Sequence, residues 1–176
     1  MKKSQSVFYL IVVIILLLVV GTGVHYYDKS KGVAYSVAQI GSKANMPYLG
    51  NIVEATQANT DFRKVLFTGT RSQLVIMSIP VGGEVGDEVH TYTEQTLFFL
   101  SGTGKAILNG KESPIISGDL VVVTPGTEHN FINTGTVPLK IYTVYSPPNH
   151  IDGTTEITKA DADKNVQDET YGNQPK

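Results

Sequence analysis

The sequence, 176 residues long, contains no cysteine. That absence removes disulfides, thiolate nucleophiles and cysteine-type zinc sites together. It leaves the redox compartment open, because a chain without thiols suits either. Neither sign of charge dominates: 14 Lys and Arg stand against 16 Asp and Glu. No Lys/Arg cluster is interleaved with aromatics, so nucleic acid is not an expected partner. The chain also lacks an internal repeat, a phosphate-cradling P-loop and a recognisable Ser-His-Asp arrangement.

What is present is unevenly distributed. Val7 to Val20 reads VFYLIVVIILLLVV, and extension through Val24 gives 18 residues without a charge. At about 1.5 Å per helical residue this nearly spans a hydrocarbon core of about 30 Å. Lys2 and Lys3 precede the run and favour an N-terminus in the cytoplasm, although Lys29 and Lys31 beyond it weaken the asymmetry. A cleaved signal peptide fits the same charges, with Gly21 and Gly23 as small residues before the cut. Either way the rest of the chain is exported. It is single-pass with its domain outside the cytoplasm if the segment is retained, and secreted if it is cleaved. The expected organisation is a signal anchor or transmembrane helix at 1–24, a linker at 25–47 with one short strand around Val33 to Ile40, the domain proper at 48–158, and a polar, frayed tail at 159–176.

Within the domain the punctuation is Gly, Pro, Asn and Thr, and the segments between are short and rich in β-branched and aromatic residues. Strands are expected at Arg63–Phe67, Gln73–Ile79, Glu88–Tyr92, Thr96–Ser101, Gly104–Leu108, Lys111–Ile116, Leu120–Thr124, His129–Asn133 and Leu139–Ser146. No segment there has a helical period. Asn109-Gly110 is a hairpin signal, since both central residues of a type I′ turn need positive φ. LVVV at Leu120 to Val123 is apolar on both faces, which predicts a strand covered by a second layer. Many short strands with such turns argue an all-β sandwich or barrel.

Two segments carry chemistry. The first, Gly82 to Gly102, reads GGEVGDEVHTYTEQTLFFLSG, and the second, Gly118 to Asn133, reads GDLVVVTPGTEHNFIN. Glu88 and His90, two apart on a strand, share a face. If that face is interior, both are desolvated together and need a partner.

These segments resemble the two signature motifs of the cupin family. The first motif has a glycine, H-x-H, three or four residues, Glu or Gln, six residues and a glycine. The second is G-x5-P-x-G-x2-H-x3-N. Gln95 followed by six residues reaches Gly102, so Gln95 takes the third ligand position and Glu94 is the runner-up. His90 matches the second histidine and Glu88 takes the place of the first. Gly118, Gly126, His129 and Asn133 fall in register, with Thr124 where the proline is usual and Pro125 after it.

The resemblance implies an all-β double-stranded β-helix, or jelly-roll barrel, in which Glu88, His90, Gln95 and His129 hold a divalent metal ion: manganese, iron, zinc or nickel. Replacing a His by Glu and the usual Glu by Gln makes the set oxygen-rich, which moves preference from zinc toward manganese, iron or even magnesium. The alternative is a metal-free, satisfied hydrogen-bond network of the same four residues. DFRKVLFTG, SQLVIMSI and LKIYTVYSPPNHIDGT further resemble small one-domain cupins called mannose-6-phosphate isomerase-like.

Fold does not fix function. The expected function is a membrane-tethered metal-binding cupin domain acting on or binding a small molecule, sugar-like or carbonyl, as a metal-dependent isomerase or dioxygenase with Glu88 or Glu94 as base. The alternative is a non-catalytic sugar-binding or sensing module without metal. Homodimerisation is plausible because cupins commonly pair. Of the remaining residues, His150 is a candidate lid residue and otherwise an exposed loop histidine, and His25 is read as solvated. Arg63 and Lys64 either steer an anionic sugar phosphate or serve solubility. Phe98, Phe99, Phe131, Tyr142 and Tyr145 are read by default as core, some of them lining the cavity.

Overall fold

The computed structural model describes residues 25–28, 33–36 and 47–175. The apolar run at 7–24 and its flanking lysines lie outside them. Among the described residues no helix is long and apolar enough to cross a membrane. The chain divides into two compact units. In the first, β1 (His25–Asp28) and β2 (Val33–Ser36) form an antiparallel pair; β2 falls in the short strand expected around Val33 to Ile40, and β1 adds a second strand to the segment read as linker.

The second unit, from Asn51 onward apart from a short preceding segment, is two antiparallel sheets that bury their facing sides. Its strands are β3 (Arg63–Thr68), β4 (Gln73–Ile79), β5 (Glu88–Val89), β6 (Glu94–Ser101), β7 (Thr103–Leu108), β8 (Lys111–Ile116), β9 (Leu120–Val123), β10 (Glu128–Asn133), β11 (Leu139–Ser146) and β12 (Thr155–Glu156). One sheet runs β5-β10-β7-β8 and the other β12-β3-β4-β11-β6-β9. This is the jelly-roll class expected from the sequence.

Alternation along the strands builds the core. In β6 Gln95, Leu97 and Phe99 are buried, whereas Glu94 is exposed and Phe98 half-buried. Phe99 meets Phe131 of β10 with ring centroids 5.4 Å apart, at the centre of a cluster that includes Val75, Met77, Leu97, Leu139 and Ile141. Phe98 stacks on Tyr142 at 4.8 Å, and both are only partly covered. Asn109 and Gly110 take φ of 48° and 76°, the two positive values that the hairpin between β7 and β8 requires.

Three expectations are corrected. β9 ends the six-stranded sheet, so Leu120 and Val122 are exposed and only Val123 is buried; LVVV is not covered on both faces. β5 stops at Val89, short of Tyr92. Helices are present: α1 (Ile52–Ala58), α2 (Lys159–Asp163) and α3 (Val166–Gly172). The segment from Lys159 is therefore folded, not frayed. Thr158 and Asp161 cap α2 reciprocally, Asn165 caps α3, and α3 buries Asp168.

Candidate metal centre

The four-stranded sheet supplies the candidate ligands. His129 of β10 pairs in register with Glu88 of β5, and His90 follows β5 directly. The second motif is tied to the first by its own turn: Gly126, at φ 80°, donates its backbone N–H to the His90 carbonyl at 2.9 Å. Glu88, His90 and His129 thereby offer one ligand atom each, all within 4.8 Å of one another. His90 Nε2 lies 3.5 Å and His129 Nε2 3.9 Å from Glu88 Oε2.

The surroundings of both rings suit a cation. His129 Nδ1–H donates to the Thr127 carbonyl at 2.9 Å, which leaves the lone pair on Nε2. His90 is pushed down to about 3 by burial, then by His129, His150 and Arg63, so it is neutral at ordinary pH. Both Nε2 atoms are buried and accept no hydrogen bond from the protein. A satisfied network would have partnered them. Two buried imidazole nitrogens without a hydrogen-bond partner and one carboxylate, converging within 4.8 Å, fit a divalent ion.

Gln95 approaches from the other sheet. Its Nε2 donates to the Tyr145 hydroxyl at 2.9 Å, and its Oε1 is buried without a partner, as an oxygen available to a cation is. Tyr145 sets its ring edge against His90 at 5.6 Å, which links Gln95 to the triad. Burial, and next the Glu88 charge, raise the Tyr145 phenol above its ordinary 10, so it remains a neutral hydroxyl.

Glu94 is exposed, one residue out of phase with Gln95, and is not brought to the cluster. His150 is not an exposed loop histidine: it is buried against the cavity, with Nδ1 2.6 Å from Asp168 Oδ2. Arg63 is buried as well, and does not steer from the surface. Its Nε donates to Glu156 Oε2 at 2.6 Å, and its guanidinium lies 3.7 Å from Asp168 and 3.9 Å from Glu88. Burial opposes its charge, yet Glu156 and next Glu88 hold its pKa above the ordinary value.

A cavity of about 370 Å³ opens beside the triad, walled by Glu88 and His90 on one side and by His150, Asn149 and residues of α2 and α3 on another. Sequence reasoning missed Asp168, Asn149 and the inward role of Arg63. The only signal for Asp168 was its place three residues after the capping Asn165.

Comparison with known proteins places this arrangement. The Cupin domain family model matches residues 75–145. An uncharacterized protein of Bacillus subtilis, YrkC, is 42% identical over 123 residues, 66% of each chain. The crystal structure of BH2720 from Bacillus halodurans superposes with TM-score 0.66 at 35% identity, covering 68% of this chain and 96% of that one. An oxalate-binding protein of Thermotoga maritima is 34% identical over 68 residues, 39% of this chain and 56% of its own. With the family model, the motifs and the barrel in agreement, the chain belongs to the cupin superfamily.

Proposed function

We propose that the chain binds a divalent metal through Glu88, His90 and His129, with Gln95 as a fourth ligand, and uses it on an uncharged small molecule held in the adjacent cavity. The observation that carries this reading is the pair of buried, unpartnered Nε2 atoms facing one carboxylate. A bound ion would supply Lewis-acid polarisation of a carbonyl or hydroxyl. The protein's own residues do the rest. Thr127 fixes the His129 tautomer, Tyr145 holds the Gln95 amide, and the buried Arg63 anchors the Glu88 side of the site to β12 and α3.

The charge around the cavity selects the ligand. Five carboxylate side chains line it against two cations, Arg63 and Lys159. Arg63 is paired with Glu156, and Lys159 donates to both oxygens of Asp163 at 2.8 and 3.0 Å. A divalent ion leaves such a lining slightly negative, which disfavours a dianion and suits a neutral carbonyl or hydroxyl compound. Oxalate, suggested by the Thermotoga relative, and a sugar phosphate both fit less well. An uncharged sugar or related compound as substrate of an isomerase is consistent with the lining and with the resemblance to isomerase-like cupins.

Elemental analysis of the full chain from its native host tests the metal. The expected result is about one divalent ion per chain, lost in His129→Ala, with chelation lowering Tm by roughly 10 °C for an ion present at a hundred times its Kd. A metal-free protein whose Tm ignores both chelator and substitution would end the reading. Taking that preparation from membranes also tests the proposed N-terminal tether, since recovery only from cytosol would contradict it.

A further inference from the structure

The metal ligands leave a third buried histidine, His150, unused. His150 is 3% exposed and lies in the segment after β11. Its backbone is already fixed by Gln73, whose Oε1 accepts the N–H groups of Asn149 at 3.1 Å and His150 at 2.9 Å, and whose Nε2 donates to the His150 carbonyl at 2.7 Å. Holding this segment therefore does not require an imidazole.

The ring is oriented as carefully as the backbone. His150 Nδ1–H donates to Asp168 Oδ2 at 2.6 Å, and Tyr145 stands edge-on at 4.9 Å and 89°. Asp168 is itself held: Oδ1 accepts the Ile151 N–H at 2.7 Å, and the Arg63 guanidinium lies 3.7 Å from Oδ2. Burial, and after it Arg63, keep the imidazole pKa below its ordinary 6.5, so the ring is neutral with its lone pair on Nε2. That Nε2 is buried and has no protein partner, and neither has Asn149 Oδ1. Both residues line the cavity that also contains Glu88 and His90. A carboxylate on Nδ1 with a free Nε2 is the arrangement of an oriented general base.

We propose that His150, oriented by Asp168 of α3, is the proton acceptor of this cavity, taking a proton from a hydroxyl of an uncharged small molecule bound beside Glu88 and His90. The inference rests on the metal reading only for what acidifies that hydroxyl. In the step the ligand O–H bond breaks and its electron pair stays on oxygen. The proton forms an N–H bond at Nε2, and Asp168 balances the resulting imidazolium. Asn149 Oδ1 receives a second donor of the same molecule, which argues for a ligand with more than one hydroxyl.

Diethyl pyrocarbonate, which acylates histidine nitrogens bearing an accessible lone pair, tests this on the full chain, with modified positions mapped by peptide mass spectrometry. Through the cavity His150 is expected to react in the folded protein, more slowly than free N-acetylhistidine because Nε2 is buried, and about tenfold or more slower again in Asp168→Asn, where the tautomer is no longer fixed. Nitrogen-15 NMR of the unsubstituted, metal-free chain gives a second readout, with a non-protonated Nε2 signal expected for His150. It decides the matter if Asp168→Asn does not fold. Reaction of His150 only on unfolding, or a protonated Nε2, overturns the proposal and makes His150 a packing residue. Added zinc should protect His90 and His129 in the same experiment. Failure of that protection counts against the metal centre and leaves the His150 result standing.

Discussion

His150 and Asp168 make the pH dependence of the molecule readable at the level of single side chains. Unfolded, His150 takes up a proton near its ordinary pKa of 6.5; folded, burial and Arg63 keep it neutral to lower pH. The unfolded state then binds more protons, so stability falls as pH drops below about 6.5. His90, held at about 3, adds the same sign over the same window. For Asp168, burial raises the carboxyl pKa, but the His150 hydrogen bond, the Ile151 N–H and Arg63 together bring it below its ordinary 3.8, so its contribution is lost only at more acid pH. In metal-free protein, His150→Gln should flatten the fall of the urea midpoint between pH 7 and pH 5, leaving the His90 share. Parallel slopes in parent and variant would show that His150 titrates as it does in the unfolded chain.

Elements differ in how much of them the sequence reveals. β4, β8 and β11 have the bounds that alternation and the flanking Gly and Pro residues predict. β9 was misread because apolar composition reports what a strand can bury, while its place at the sheet edge decides what it does bury. α1 to α3 span only 5 to 7 residues, too few for a period to emerge, and their caps, such as Asn51 accepting from the Glu54 N–H, show only in the folded chain. Turns give a sharper test. Gly102 and Gly118 both hold positive φ, 91° and 95°, as their motif positions predict. A Cβ at Gly102 would stand 2.9 Å from Leu139 Cα and the Pro138 carbonyl oxygen, whereas one at Gly118 meets nothing within 4 Å. Gly118→Ala should cost about 1 kcal/mol and Gly102→Ala roughly 3 kcal/mol, the excess being the backbone collision. Equal losses in urea denaturation would mean that conformational strain, not contact, governs both turns.

At the scale of the molecule, the motif spacing made Glu88, His90, Gln95 and His129 legible, because a barrel of known strand order converts spacing into proximity. Arg63, Asn149 and Asp168 lie outside the segment matched by the family model, and no periodicity ties them to it. They meet the site through contacts such as Arg63 with Glu156, 93 residues apart, that only the folded chain creates. Their arrangement makes one wall of the cavity from parts beyond the two motifs.

Local stability across that wall is unequal. β10 is paired on both sides, by β7 over Gly104 to Leu108 and by β5, whereas β5 contributes only Glu88 and Val89 at the margin of its sheet. Native-state hydrogen exchange should be faster at Val89 and His90 than at Phe131 and Asn133, and the difference should shrink when an ion is bound. Uniform protection would refute it. A cation arriving from solution need not wait for the barrel to come apart. On the metal reading proposed above, capture and release of the ion would then be gated at this one short rim segment while the sheet behind stays closed.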